Sequence, residues 1–417
     1  MGLRTRFRLG RGPDSSYILR IVMRRSPMLA VLLAIVAGAG VRAAEPDPEA
    51  LFPCSDAMRE GVEFWKHVYS QWTLSQVVLH DVDHPSIVYE IFELPPPTGE
   101  VYTDEQRDYV KDRREALQQR LVAIEAAAEA GTPLADDEKA LVLKITEVAG
   151  GDGLIGASLR VRSQRGMRER FRRGLEISGR YHDAFVAIFR EAGLPEDLAE
   201  LPHVESSFQV AARSSAGAVG VWQFTRGAAR KFMLMTPGLD ERLDPVASAH
   251  GAARYLKAAY DELGSWPLAI TSYNHGIEGM KAASERFGLD FPRILDEYDG
   301  RTFGFASKNF YKEFLAAREI VKAPATYFPE GLVPEPPLRH DSVRIEHPTT
   351  AAIVATRYKV PVHELAAINP AWTRRALSGR SPLPPGTQIW LPNGTLDRVA
   401  SLAKRPKATA KSVLPSP

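Results

Sequence analysis

The stretch LPHVESSF, residues 201–208, decides how this chain folds. Leu198, Leu201 and Val204 recur three residues apart, a spacing that predicts a helix with one apolar face that ends near Glu205. If that face points inward, the carboxyl group of Glu205 lies at the buried end of the helix, where desolvation raises its pKa. A lone glutamate near a helix end is usually a solvated surface residue. A functional role for Glu205 can therefore be predicted only together with residues from other segments.

Patterns outward from this stretch predict a mainly α fold with small α+β parts on both sides. Apolar residues at helical spacing recur through the middle of the chain, whereas short β-branched runs appear before and after it. Five prolines crowd residues 324–339, which predicts a semi-extended linker. The predicted segments are a signal peptide (1–43), an N-terminal α+β region of unknown role (44–165), a helical domain (166–323), the Pro-rich linker (324–339), a strand–helix–helix–strand domain (340–394) and a disordered basic tail (395–417).

The charge balance argues against a nucleic-acid partner. The chain of 417 residues has a formal net charge of +2, but residues 1–43 carry eight Arg and one Asp. The remainder has 45 basic and 50 acidic side chains, a net charge of −5. A mature chain of that balance lacks the basic character of nucleic-acid-binding proteins.

Residues 1–43 are typical of a secretion signal. Arg20, Arg24 and Arg25 precede an apolar run of thirteen residues, Met28–Gly40, which is too short to span a bilayer. We expect export to the periplasm and a monomer. The alternative is a segment that stays uncut as a short anchor and associates the protein with a membrane.

Other kinds of active site find little support in the sequence. The single cysteine, Cys54, excludes an internal disulfide. His203, His250 and His275 lack zinc-ligand spacing, and neither a nucleophile elbow nor a phosphate-binding loop is present. We therefore predict neither a metal nor another cofactor.

Two downstream segments carry polar side chains that suit a sugar ligand. Ser214 and Gln223 flank a Gly-rich stretch that lets backbone approach a ligand closely, and both side chains can donate and accept hydrogen bonds. Tyr273 and Asn274 combine an apolar face with polar tips. A flexible loop and a helix C-terminus explain these segments equally well when each is taken alone. Together with Glu205 they predict a site that breaks a glycosidic bond.

The combined pattern resembles the family 1 lytic transglycosylases, enzymes with a goose-lysozyme-like helical fold that cut bacterial peptidoglycan. The family's Glu-Ser, Gly-Leu-Met-Gln and Ala-Tyr-Asn segments correspond to Glu205-Ser206, residues 220–223 and residues 272–274. Here the resemblance implies that residues 166–323 form the catalytic domain. It also implies that Glu205 is the catalytic acid and that the substrate is bound by Ser206, Ser214, Gln223, Tyr273, Asn274 and Tyr311. Tyr311 lies one residue beyond the family's tyrosine position, which Phe310 occupies.

Residues 340–394 resemble a LysM domain, a module that binds glycans containing N-acetylglucosamine. The matching stretches are residues 353–369 and 385–392, whereas the usual Gly-Asp-Thr is replaced by His347-Pro348-Thr349. The resemblance implies a second contact with peptidoglycan glycan strands.

These resemblances imply cleavage of the β-1,4 bond between N-acetylmuramic acid and N-acetylglucosamine with formation of a 1,6-anhydro sugar. One alternative is a lysozyme-type hydrolase, which needs a second acid such as Asp240, Glu241 or Asp244 to activate water. The other alternative is a catalytically silent protein that binds wall glycans.

Overall fold

The computed structural model describes residues 48–404 and shows a mainly helical fold, as predicted. The predicted signal peptide, residues 1–43, lies outside the described residues. Within residues 48–404, no helix has both the length and the apolar character needed to cross a membrane.

The first part of the described chain combines helices with a small antiparallel sheet. Its strands run in the order β2-β1-β3, and the third of them was not predicted. Helix α3 begins with a capping box in which Thr103 and Gln106 each satisfy a backbone N–H of the other. The elements are α1 (Pro48–Leu51), α2 (Asp56–Ser70), β1 (Gln76–Asp81), β2 (Val88–Glu93), α3 (Asp104–Glu129), α4 (Asp136–Ala149) and β3 (Val161–Arg165).

The central part is a group of helices around an aromatic core. Helix α9 begins at Pro245 after its N-cap Asp244 and ends at Leu263, where Gly264 follows as the C-cap with a φ of 66° that suits a glycine. The elements are α5 (Arg168–Ser178), α6 (His182–Glu191), α7 (Leu201–Glu205), α8 (Arg226–Phe232), α9 (Pro245–Leu263), α10 (Trp266–His275), α11 (Ile277–Phe287), α12 (Phe291–Glu297), α13 (Phe305–Lys322) and α14 (Pro324–Tyr327); 3₁₀ turns cover Gly151–Leu154, Ala157–Arg160, Glu196–Glu200 and Glu241–Leu243.

One hydrophobic core crosses the predicted border between residues 165 and 166. Helix α2 packs along α13, and its buried Tyr69 stacks on Phe171 of α5 with ring centroids 4.6 Å apart. Trp65 of α2 donates a hydrogen bond of 3.0 Å from Nε1 to Oδ1 of Asn309. Helix α2 is thus part of the core that supports the central helices.

The proline-rich stretch 324–339 is packed against the protein, although the sequence predicts a semi-extended linker. It begins with helix α14 and a fully buried Phe328. The backbone N–H of Glu335 donates a hydrogen bond of 2.8 Å to the Glu176 carbonyl, and the Glu335 carboxylate pairs with Arg173 and Arg180. Prolines remove backbone hydrogen-bond donors, but the other residues of the segment keep their side chains. The carboxylate of Glu335 and the ring of Phe328 attach the segment to the protein.

The last part of the chain is a two-stranded antiparallel sheet with helices between its strands. Its elements are β4 (His340–Arg344), α15 (Ala351–Tyr358), α16 (Val362–Ile368), α17 (Arg374–Leu377), β5 (Gln388–Pro392) and α18 (Thr395–Lys404). The prediction of a disordered tail is wrong for residues 395–404, because α18 begins with a buried Thr395 and the Leu396 N–H bonds Asp341 at 2.8 Å. Residues 405–417 of that predicted tail lie outside the described residues.

Candidate functional site

Glu205 is the last residue of α7, and the backbone turns sharply after it. Ser207 and Phe208 have φ values of 50° and 57°, a left-handed conformation that costs energy for residues with side chains. The Ser206 hydroxyl donates a hydrogen bond of 2.8 Å to the Val221 carbonyl. This bond ties the end of α7 to the segment that carries Gln223.

A buried ionic group supports the base of α7. The Nε2 atoms of His182 and His203 lie 2.8 and 3.4 Å from the two carboxylate oxygens of Glu200. Burial alone would raise the pKa of Glu200, but the two imidazoles hold that pKa well below its usual value. Glu200 is therefore a charged anchor beneath the helix, whereas Glu205 lies at its end.

The carboxyl group of Glu205 is shifted toward its protonated form. Burial is the main cause and the negative charge of Glu313 the second, and together they raise the pKa of Glu205 to about 8. Glu313 lies on α13, and burial raises its pKa to about 7 against a 3.0 Å hydrogen bond from the Tyr69 hydroxyl. Two carboxyl groups that interact in this way share protons near neutral pH. Glu205 can consequently donate a proton at that pH.

Tyr273 and Asn274 lie at the end of α10, and Tyr273 is close enough to Glu205 to be affected by its charge. The Tyr273 hydroxyl donates to the Trp222 carbonyl at 2.9 Å, and its ring stacks on Phe310. The pKa of Tyr273 is raised by burial and then by the charge of Glu205, which places the two side chains in one electrostatic environment. Asn274 is exposed, and its Oδ1 accepts a 2.7 Å bond from Ser307.

Gln223 shares a groove of about 500 Å³ with Tyr273 and Asn274. Its φ is 46°, and its side-chain amide donates 2.7 Å and 3.3 Å bonds to the carbonyls of Gly220 and Ala212. The strained backbone and the two bonds fix the carboxamide at the edge of this groove.

Ser214 is not among the residues that line this groove. It is exposed at the tip of its loop, where its hydroxyl accepts a 3.1 Å bond from the Ala218 N–H. The structure thus gives Ser214 a role in closing the loop, and a contact with a ligand stays a prediction.

The prediction that Tyr311 binds substrate is corrected by its placement. Its side chain is 0% exposed, its hydroxyl donates to the Pro53 carbonyl at 3.1 Å, and its ring packs on Phe291 and Phe314. One residue along a helix is a rotation of about 100°. That rotation turns Tyr311 into the core and turns Phe310 toward Tyr273.

The three acids considered for a hydrolase are engaged elsewhere. Asp240 pairs with Arg242 at 2.8 Å, and Glu241 accepts a 2.6 Å bond from the Leu234 N–H. Asp244 caps α9 and accepts a 2.6 Å bond from the Trp390 indole. Glu313, which the sequence analysis missed, is instead the acid whose charge acts on Glu205.

Comparison with known proteins shows similarity to lytic transglycosylases. The family described as Transglycosylase SLT domain matches residues 185–288. Membrane-bound lytic murein transglycosylase D of Escherichia coli (strain K12) is 27% identical over 239 residues, which cover 54% of this chain and 49% of that protein. The "Putative tributyltin chloride resistance protein" of Alteromonas sp. (strain M-1) is 34% identical over 148 residues, which cover 34% of this chain and 69% of that protein.

Two solved structures were also found to be similar. Lytic transglycosylase Slt of Pseudomonas aeruginosa is 17% identical with a TM-score of 0.28, and the match covers 52% of this chain and 31% of that one. The 70 kDa soluble lytic transglycosylase of Escherichia coli is 16% identical with a TM-score of 0.30, covering 52% and 43%.

The chain spans about half the length of its Escherichia coli relative, and more than two thirds of the shorter Alteromonas protein. The matched domain contains Glu205, Gln223, Tyr273 and Asn274, whereas Tyr69 and Glu313 lie outside it. By the domain match and the 34% identical relative, this chain belongs to the transglycosylase SLT family.

Proposed function

We propose that this protein is a peptidoglycan lytic transglycosylase that cleaves the β-1,4 bond between N-acetylmuramic acid and N-acetylglucosamine without consuming water. The observation that carries the proposal is the half-buried Glu205, whose pKa is raised to about 8 beside a groove lined by Gln223, Tyr273 and Asn274. A carboxyl group that is protonated at neutral pH can act as a general acid.

Glu205 serves both halves of the reaction in this mechanism. Its protonated carboxyl gives a proton to the bridging oxygen as the glycosidic bond breaks. The resulting carboxylate then accepts the proton of the muramic acid 6-hydroxyl, whose oxygen attacks the anomeric carbon and closes the anhydro ring. The proton returns to Glu205, so that acid and base are one group and the enzyme is regenerated.

The test replaces Glu205 with Gln, which keeps the shape of the side chain and removes its proton. We expect Glu205→Gln to reduce the release of anhydro-muropeptides from purified sacculi by about a hundredfold or more. Exposed Glu285 of α11 offers a matched control, because Glu285→Gln makes the same change away from the groove. Normal release by Glu205→Gln would refute the assignment.

A lysozyme-type hydrolase is the second candidate, and Glu313 is the observation that favours it. A second carboxyl group near Glu205 could activate a water molecule. Mass spectrometry of the muropeptides separates the two reactions, because a hydrolytic product is heavier by one water. A protein that only binds wall glycans would release neither product.

We also propose that residues 340–394 act as a LysM-like glycan-binding unit and that the protein works in the periplasm. The resemblance in residues 353–369 and 385–392 and the strand–helix–helix–strand order support the first point. The positively charged and apolar pattern of residues 1–43 supports the second. Sedimentation of the full chain with sacculi tests the binding unit, when the wild type is compared with Ile353→Asp, a change at a side chain that is 57% exposed in the first matching stretch.

A further inference from the structure

Helix α2 makes two side-chain hydrogen bonds to α13 from positions one turn apart. Trp65 donates from Nε1 to Oδ1 of Asn309 at 3.0 Å, and the Tyr69 hydroxyl donates to Oε2 of Glu313 at 3.0 Å. Because residues four positions apart share one face of a helix, these two bonds fix the register of α2 against α13. Both helices lie outside the matched family domain, residues 185–288.

The two acceptors differ in their chemistry. Asn309 is a neutral amide, which accepts the bond without a charge that must be desolvated. Glu313 is an ionisable group that is half-buried, and burying a charge costs more than burying an amide. A glutamine at this position could accept the same bond from the Tyr69 hydroxyl. Satisfying a buried hydroxyl therefore explains the hydrogen bond, but it does not explain why the acceptor is an acid.

Tyr69 and Glu313 lie beside the end of α7. Tyr69 is 1% exposed, and its ring stacks on Phe171, which packs on the His203 ring of α7 with centroids 5.3 Å apart. Helix α13 also packs against α7. Burial raises the pKa of Tyr69, and the charges of Glu313 and then Glu205 raise it further. The phenol and the two carboxyl groups thus share one electrostatic environment.

Other charged groups act on this environment more weakly. Arg170 of α5 lowers the pKa of Tyr69 against its burial, and the charge of Glu205 also acts on Tyr273 of α10. Because burial keeps Tyr69 neutral, its hydroxyl remains a hydrogen-bond donor at every pH where the protein could work. Its bond favours the carboxylate form of Glu313 and lowers the pKa of Glu313 against the larger effect of burial.

We propose that Tyr69 is a positioning residue of the reaction, supplied by α2 from outside the matched domain. Its hydroxyl holds Glu313 beside Glu205 and favours the charged form of Glu313, and that charge keeps the proton on Glu205. The proposal rests on the proposed function, because it takes Glu205 as the acid. It gives the N-terminal part a role, since α2 completes a site that the matched domain contains only in part.

The first test is the pH–rate profile of Tyr69→Phe, which removes one oxygen and keeps the stacked ring. Without the hydroxyl, Glu313 ionises at a higher pH, so its charge supports the protonated form of Glu205 less. Muropeptide release between pH 5 and 10 should show the alkaline fall at lower pH, with a shift no larger than that of Glu313→Gln. In the Glu313→Gln background, Tyr69→Phe should cause no further shift, because the two residues act as one unit.

Tyr89→Phe is the matched control in the N-terminal part. The Tyr89 hydroxyl donates a bond of the same length, 3.0 Å, to the carboxylate of Asp81, which also pairs with Arg160 at 2.9 Å. The change removes a tyrosine–carboxylate bond that does not involve Glu313, so the alkaline fall should stay in place. A Tyr69→Phe protein that is slower at every pH, with an unmoved fall, would show a purely structural role.

Thermal unfolding tests the same bond without relying on activity. Folded Glu313 holds its proton up to a pH of about 7, whereas an ordinary glutamate releases it near 4.5, so stability falls as the pH rises between these values. Loss of the hydroxyl extends this fall to higher pH. The Tm of the wild type minus that of Tyr69→Phe should therefore be larger at pH 9 than at pH 5, by about 2 °C or more.

The outcomes separate this proposal from the proposed function. An alkaline fall of Tyr69→Phe at an unchanged or higher pH, a shift that persists in the Glu313→Gln background, or a Tm difference that is the same at both pH values would overturn the role of Tyr69. A wild-type protein that releases no muropeptide would instead refute the proposed function. The Tm comparison would then still decide whether Tyr69 governs the ionisation of Glu313.

Discussion

At the scale of single residues, Glu205 and Glu313 form a pair whose charges oppose each other. The pKa of Glu205 is raised to about 8 by burial first and by Glu313 second, and above a pH of about 7 Glu313 becomes ionised. The proposed reaction needs protonated Glu205, so its rate falls as the pH rises through the pKa of Glu205. The pH at which the rate falls therefore reports the electrostatic interaction between Glu205 and Glu313.

Replacing Glu313 with Gln removes one of the two causes that raise the pKa of Glu205, namely the nearby negative charge. We expect the alkaline fall of the Glu313→Gln pH–rate profile to move to lower pH, by less than the shift that burial produces. Muropeptide release between pH 5 and 10 measures it, with Glu285→Gln as the control. An alkaline fall at an unchanged or higher pH would contradict the electrostatic coupling.

The same carboxyl group makes the fold less stable at alkaline pH. Folded Glu205 holds its proton up to a pH of about 8, whereas an ordinary glutamate releases it near 4.5. Between these values unfolding releases a proton, so stability falls as the pH rises. Glu205→Gln has no carboxyl group to ionise at this position and so escapes this loss of stability. The Tm of the variant minus that of the wild type should therefore be about 2–5 °C larger at pH 8.5 than at pH 4. A Tm difference that is the same at both pH values would show that Glu205 is not buried as described.

At the scale of structural elements, the loop that carries Gln223 depends on Gly220. This glycine has a φ of 81°, and a Cβ there would overlap the carbonyl oxygen of Arg242. Both features disfavour every other residue type. We expect Gly220→Ala to lower the free energy of unfolding by about 1–3 kcal/mol and to reduce muropeptide release by disturbing Gln223.

Gly227 provides the matched control within the same region. It lies in α8, and a Cβ there would meet nothing within 4 Å. Gly227→Ala should leave the Tm unchanged or raise it slightly, because alanine favours the helix. Thermal unfolding of both variants tests the pair, and equal Tm values would show that the close approach at Gly220 carries no weight.

Local patterns predicted the part of the site that lies in continuous segments. Glu205, Gln223 and Tyr273 each stand in a short motif, and the fold brings them together. Glu313 and Tyr69 were not predicted as part of the site, because they are brought together by the packing of α2 against α13 and are 244 residues apart in sequence. No periodicity within one segment reports such a contact.

Side chains that act over a long distance in sequence also explain the errors. Prolines predicted an extended linker at 324–339, yet the ion pairs of Glu335 with Arg173 of α5 and with Arg180, just after that helix, hold it in place. Tyr311 was selected by its type, whereas the register of α13 decides which way it points. A helix is easy to predict from sequence, but its rotation is fixed by its neighbours.

At the scale of the whole described chain, the segment after α8 anchors the C-terminal part to the central helices. Leu239 is 0% exposed and lies in the hydrophobic cluster of residues 351–391. The Asp240 N–H bonds the Ala371 carbonyl at 2.8 Å, and the Thr373 N–H bonds that of Gly238 at 3.1 Å. The C-terminal part is therefore joined to the central helices by a shared core as well as by the chain itself.

This anchor continues into the loop of Gln223 through one buried arginine. Arg242 is held by Asp240 at 2.8 Å, and its Nη1 donates to the carbonyls of Gly217 and Phe224 at 3.3 and 3.2 Å. The hydrogen bonds thus run from the C-terminal part to both ends of the stretch that contains Gly220. Weakening this anchor should consequently disturb the position of Gln223 at the groove.

Leu239→Ala tests whether the C-terminal part and the groove depend on each other. Truncating a buried leucine costs about 2–5 kcal/mol, so we expect a lower Tm and earlier proteolysis between residues 328 and 340. Muropeptide release should fall as well, although Leu239 is not part of the groove. Leu289→Ala makes the same truncation at a side chain that is 61% exposed and should change none of these three properties. A Leu239→Ala protein with a normal Tm and resistance to protease would mean that the burial of Leu239 contributes little to joining the C-terminal part to the central helices.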